Sequence, residues 1–168
     1  TLFRSRAIIA VHLYGQSANL DAIADFCQRN KVFLIEDASQ AHGAKYKDKR
    51  LGSFGDVGCF SCYPTKNLGA IGDAGLMTTN DTNLAKKIRM LREYGWNNRI
   101  SEYAGRNSRL DEMQAAILRI KLKHLDSDNE KRRQLAQHYM VNLIESQVCL
   151  PVVRMNSVSV FHLFVLQI

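Results

Sequence analysis

Val32-Phe33-Leu34-Ile35-Glu36-Asp37-Ala38-Ser39-Gln40-Ala41-His42-Gly43 is the stretch on which the fold turns. Its apolar opening reads as a buried strand from Val32 to Asp37, and that strand delivers a carboxylate at its carboxyl end. Upstream, Ala7 to His12 reads as another strand, and Asn19 is placed to cap a helix through about Asn30 with Leu20, Ile23, Ala24 and Cys27 on one face. Downstream, Val57 to Tyr63 and Gly75 to Thr79 read as further strands, and Asp81 caps a helix that ends near Gly95. This β-α-β order predicts an α/β fold, a parallel-rich sheet flanked by helices. Ligands of such sheets sit beyond the carboxyl ends of the strands, where Asp37 stands. Two longer helical patterns follow, from about Arg109 to Leu125 with Leu110, Met113, Ile117 and Ile120 as a stripe, and from Asn129 to Glu145. No internal repeat or low-complexity linker interrupts the chain, and Pro151 marks the expected boundary.

A second stretch, Cys59-Phe60-Ser61-Cys62-Tyr63-Pro64-Thr65-Lys66-Asn67-Leu68-Gly69, sets one lysine just past an apolar strand, between a proline and a glycine. An amine and an acid at two strand ends suit pyridoxal phosphate. A lysine forms the Schiff base with its aldehyde, and a carboxylate keeps its pyridinium protonated so that the ring accepts electrons. Lys66 and Asp37 lie 29 positions apart, so only the tertiary fold can bring them together. On residue types alone, an exposed lysine after one strand and a turn aspartate after another explain the same pattern.

Composition narrows the classes. The 168 residues are 46% hydrophobic and 23% charged, which excludes a disordered tail, and no apolar run approaches transmembrane length. Thr1 to Arg6 leads too quickly into polar sequence to read as a signal peptide, so a cytoplasmic location is expected. Cys59 and Cys62 have C-x-x-C spacing, but in a strand such positions face opposite ways, and no second pair exists. Buried free thiols are expected, and no metal site. The net charge of +7 is densest at Lys121, Lys123, Lys131, Arg132 and Arg133, where acids alternate, so a solvated helix face is expected rather than nucleic-acid binding. Of the five histidines, His12 and His42 read as packing residues at strand ends, His124 and His138 lie on helices, and His162 is an open candidate for substrate contact.

The ordered segments Val11-His12-Leu13-Tyr14-Gly15, Glu36 to Ala44, Gly52-Ser53-Phe54-Gly55-Asp56, Ser61 to Gly69, Gly72-Asp73-Ala74-Gly75 and Gly105 to Ala116 resemble the nucleotide-sugar aminotransferases. These form the DegT/StrS group of fold-type-I pyridoxal-phosphate enzymes. The resemblance implies part of the large domain of the aspartate aminotransferase-like fold over 1–150, with 151–168 starting a small domain. It implies Lys66 as the Schiff-base lysine, Asp37 as partner of the pyridine nitrogen, Gln40 at the ring hydroxyl and Ser61 at the phosphate. Asn107 would reach the phosphate of the neighbouring subunit's cofactor, which requires a homodimer.

The implied reaction moves an amino group from glutamate to a keto-sugar nucleotide, with no nucleic acid or membrane partner. The wording Gly69-Ala70-Ile71-Gly72-Asp73-Ala74-Gly75 favours 3-keto over 4-keto sugars. Family members are markedly longer, so the chain reads as an internal fragment without the family's phosphate-binding Gly/Thr loop and ring-stacking aromatic, with impaired activity expected. Rival readings are a truncated domain that folds or dimerises without cofactor, a basic binding protein, and a related sugar dehydratase. Lys66 argues against the dehydratase, which carries histidine there.

Overall fold

A computed structural model describes residues 4–145 and 147–168. The first half of the Thr1–Arg6 stretch lies outside these residues. Strand β1 (Ala7–Val11) leads through a short 3-10 turn to helix α1 (Leu20–Asn30), strand β2 (Phe33–Asp37) and a small hairpin of β3 (Lys45–Tyr46) and β4 (Lys49–Arg50). Strands β5 (Val57–Ser61) and β6 (Gly75–Thr78), helix α2 (Thr82–Leu91) and the hairpin β7 (Trp96–Asn97) and β8 (Ile100–Ser101) come next. Helices α3 (Glu112–Leu122) and α4 (Leu125–Asn142) and strand β9 (Ser157–Val158) complete the order.

The main sheet runs β1-β2-β5-β6. β1, β2 and β5 are mutually parallel, and Val11 and Asp37, which end β1 and β2, are in register with Cys59 within β5. β6 returns antiparallel to β5, pairing Ser61 with Gly75. The link from Cys62 to Ala74 contains no helix, and without a crossover the chain can only turn back along its own edge. The hairpin pair is extended by β9, which pairs antiparallel with β3.

Period-two alternation divides the sheet faces. Ala10, Leu34, Glu36 and Gly58 point inward and are buried, whereas Ile9, Val11 and Phe33 are exposed on the other face. The inner face packs on α1 through Leu20 and Cys27, with Ile23 and Ala24 beside them, on the expected stripe. Val160, from the segment expected to open the small domain, is fully buried in the same core. A second core of Cys62, Leu68, Ala70, Leu118 and Leu125 fixes the β5–β6 link against α3 and α4.

Several boundaries differ from the sequence pattern. Asn19 stands at the N-cap of α1 but its side chain makes no capping bond, whereas Asp81 accepts from the amides of Asn83 and Leu84, at 2.7 and 3.1 Å. Helix α2 stops at Leu91, four residues short of Gly95. Helix α3 starts at Glu112, and its buried residue is Leu118, while Met113 and Ile120 of the expected stripe are 69% and 63% exposed. The inner face instead admits Gln114, because its Oε1 accepts from the Ile71 amide at 2.9 Å. Helix α4 begins at Leu125, four residues before the expected start at Asn129, which is a buried residue in its interior.

Candidate active site

Asp37 ends β2 and Ser61 ends the neighbouring parallel strand β5, so both lie at the carboxyl edge of the sheet. Asp37 Oδ1 accepts from the Ser39 amide at 3.0 Å, which leaves Oδ2 without a partner among the described residues. Its charge reaches Cys59, whose thiol is pushed up first by burial and then by Asp37. Burial also pushes the Cys62 thiol up. Both effects favour thiols over the thiolates that metal binding requires. Among the described residues no cluster of three or more His, Cys, Asp or Glu is arranged to hold a metal ion.

Past Ser61 the chain makes a tight loop that carries Lys66. The Lys66 amide donates to Tyr63 O at 2.9 Å, and Ala70 N donates to Cys62 O at 2.8 Å. Gly69 is required here, since a Cβ would stand 2.4 Å from Pro64 O. Lys121 Nζ donates to Gly69 O from α3. The loop is therefore closed by its own backbone, packed beneath by Leu68 and Ala70 and tied to a helix, which leaves the lysine side chain as its adaptable part. No carboxylate of the described residues lies within ion-pair distance of the Lys66 amine.

Ser39, Cys59, Ser61 and Lys66 line an open cavity of about 1250 Å³, with Arg92 and Arg109 also in its lining. Ser61 Oγ accepts only a long 3.4 Å contact from the Tyr63 amide, so its proton is free to donate. Of the residues singled out from sequence, the fold brings Ser61 and Lys66 into this cavity. It sets Asp37 at the adjoining strand end, held to the lining residue Ser39. Gln40 is turned elsewhere: its Oε1 accepts from the Tyr14 amide at 2.7 Å. Asn107 is exposed, bridged to Glu93 and accepting from Arg109 Nε at 3.1 Å.

Sequence reasoning passed over Asn67 and Asn129. Asn67 Nδ2 donates to Asn129 Oδ1 at 2.9 Å and to Val160 O at 3.1 Å, and Asn129 Nδ2 donates to His42 O at 2.8 Å. His162 Nδ1 lies 3.0 Å from Asn67 Oδ1. The only signal in the sequence was the position of Asn67 beside the lysine. His42 is 2% exposed, its ring lies against Phe60, and neither ring nitrogen has a partner among the described residues. Burial, with positive charge at His162 and Lys66 adding to it, pushes its pKa down to about 4 despite the nearby Ser61 carbonyl. Burial, then Lys66 and Arg132, lower that of His162.

This arrangement sits in a chain whose residues 3–168 match the model of the DegT/DnrJ/EryC1/StrS aminotransferase family. The chain belongs to that family. A family relative, the dTDP-3-amino-3,4,6-trideoxy-alpha-D-glucose transaminase of Streptomyces venezuelae, is 48% identical over 163 residues, which are 96% of this chain and 43% of the relative. Among solved members, S. venezuelae DesV in complex with a ketimine intermediate superposes with a TM-score of 0.94 at 48% identity, covering 97% of this chain and 44% of that one. NtdA of Bacillus subtilis, solved with bound cofactor PMP, gives a TM-score of 0.82 at 34% identity over 95% of this chain and 37% of its own. The chain thus spans less than half the length of these family relatives.

Proposed function

We propose that the chain is part of a pyridoxal-phosphate-dependent aminotransferase that moves an amino group from glutamate to a keto-sugar nucleotide, with 3-keto sugars favoured over 4-keto. The observation that carries this is an amine without an acidic partner, Lys66, on one cavity with Ser61 and beside the Asp37 strand end. The donor set fits the group: a carboxylate oxygen left open, a hydroxyl proton unspent and a lysine on a pinned loop. When bound, pyridoxal phosphate supplies an aldehyde that takes up the amino group and a ring that stores the electron pair of a carbanion.

With the group bound, Asp37 Oδ2 would hold a proton on the ring nitrogen, Ser61 Oγ would donate to the phosphate, and Lys66 Nζ would move the proton between substrate and cofactor carbons. Gln40 would reach the ring hydroxyl, and Asn107 would serve the partner subunit's cofactor in a homodimer. The relative that makes a 3-amino sugar supports the 3-keto preference. Residues 1–150 belong to the large cofactor domain and 151–168 lead into a small one. Because the chain spans under half of its relatives, impaired activity is expected of the 168 residues alone.

The test is a titration with pyridoxal phosphate followed by assay with glutamate and dTDP-linked 3-keto and 4-keto hexoses. Visible cofactor absorbance that depends on Lys66, with faster turnover of the 3-keto sugar, is the expected result. Absorbance unaffected by removing Lys66 would overturn the reading. No binding at any cofactor concentration would favour a domain that folds without it.

A further inference from the structure

The loop that carries Lys66 ends in a chain of side-chain amides whose orientations are all determined. The carbonyl of His42 can only accept, so the Asn129 group that meets it at 2.8 Å is Nδ2. Asn129 Oδ1 is then an acceptor facing Asn67, and Asn67 Nδ2 serves both it and the carbonyl of Val160. That leaves Asn67 Oδ1 toward His162 Nδ1 at 3.0 Å, where it must accept. Reversing either amide would set acceptor against acceptor at a backbone carbonyl.

His162 therefore carries a proton on Nδ1, and in the neutral ring Nε2 keeps the lone pair. The histidine cannot drift to relax this bond. Its own amide donates to Tyr14 O at 3.1 Å, and the Val160 amide donates to Gly15 O at 2.9 Å. At the other end Asn129 is 2% exposed in the interior of α4, where water cannot replace a lost partner.

We propose that Asn67 is a positioning residue, which clamps the Lys66 loop between α4 and the Ser159–His162 segment and holds His162 in its Nδ1–H tautomer. The consequence for the reacting amine rests on the proposed role of Lys66. The clamp fixes the backbone from which that side chain reaches, and the tautomer makes His162 Nε2 a group that accepts a hydrogen bond and does not give one. Lys66 lies close enough for its charge to disfavour a second proton on that ring.

Long-range proton–nitrogen NMR of protein labelled with 15N-histidine reads the tautomer directly, at a pH where His162 is neutral and with its signals assigned by loss in His162→Gln. The unsubstituted protein is expected to show a protonated Nδ1 and an unprotonated Nε2. Asn67→Leu should shift both signals toward a mixture of tautomers, whereas Asn67→Asp, which still accepts from His162, should keep Nδ1–H. Both variants lose the donors to Asn129 and Val160, so exchange of the Lys66 amide should accelerate about tenfold against that of β1 and β2. An Nε2–H tautomer in the unsubstituted protein, which requires no variant to fold, overturns the proposal, as does unchanged Lys66 exchange in both variants. A correct tautomer without cofactor absorbance would sink the transaminase reading and leave this one standing. Absorbance with the wrong tautomer would do the reverse.

Discussion

His12 donates from Nε2 to Glu36 Oε2 over 3.0 Å, and it can do so because its Nδ1 is engaged as an acceptor by the Ala18 amide at 3.2 Å. Glu36 is fully buried and accepts three more bonds, from Gly52 N on Oε2 and from Phe54 N and Gly55 N on Oε1, at 2.6 to 2.7 Å. One carboxylate thus organises the 52–55 loop beneath the sheet, while its neighbour Asp37 ends the strand and accepts from the amide of the cavity-lining Ser39. Removing it by Glu36→Ala strands four donors, and breaking a buried network of this kind costs about 3–5 kcal/mol. Urea unfolding should record that loss, and a value under about 1 kcal/mol would show that the loop holds itself.

Acid should weaken the fold in a defined window. His42 titrates near 6.5 when unfolded and at about 4 when folded, so the unfolded chain binds the extra proton first. Its contribution is complete above pH 6.5 and is lost as pH falls toward 4, by about 3 kcal/mol in all. Burial works against the Glu36 carboxylate, but its bonds from His12 and the loop amides outweigh that and lower its pKa. Its contribution is lost as pH falls further, through that lowered value. His42→Leu gives up no ring hydrogen bond, so it should be near-neutral at pH 7 and flatten the slope between 6.5 and 4. Denaturant titrations across that range decide it. An unchanged slope in the variant would place the titration elsewhere.

In the full-length protein, Lys66→Ala should abolish visible cofactor absorbance and multiple-turnover transamination together. No other lysine is among the described residues that line the cavity. Lys66→Arg tests the same point with charge retained, because a guanidinium stays protonated and cannot act as the nucleophile. Spectrophotometric titration beside a glutamate-dependent assay reads both. Retention of either signal in Lys66→Ala would remove Lys66 from the reaction.

Gly69→Ala should disturb the site more than the fold. The added Cβ would meet Pro64 O at 2.4 Å and force the Lys66 loop open, a strain of about 1–3 kcal/mol. The sheet and α1 do not depend on this contact. Cooperative thermal unfolding should therefore persist at a reduced midpoint while cofactor absorbance falls. Unaltered absorbance would show that the loop tolerates the shift without moving the lysine.

Local patterns carried the reading of this chain a long way. The apolar run Val32–Ile35 ahead of Asp37 and the apolar face of Leu20, Ile23, Ala24 and Cys27 were legible as parts of a β-α-β unit, and an acid and an amine near two strand ends were visible as residue types. Strand and helix periods are properties of a few adjacent residues, so a sequence states them directly. The direction of β6, the choice of Leu118 over Met113 and Ile120 as the inner face of α3, and the burial of Asn129 were not legible, because each depends on a partner supplied from far away. Asn67 finds Asn129 at a separation of 62 residues and His162 at 95. Hydrogen-bonding groups of that kind look like surface residues until the tertiary fold withdraws the water, and only then does it become decided which amide holds the loop and which nitrogen of His162 keeps its proton.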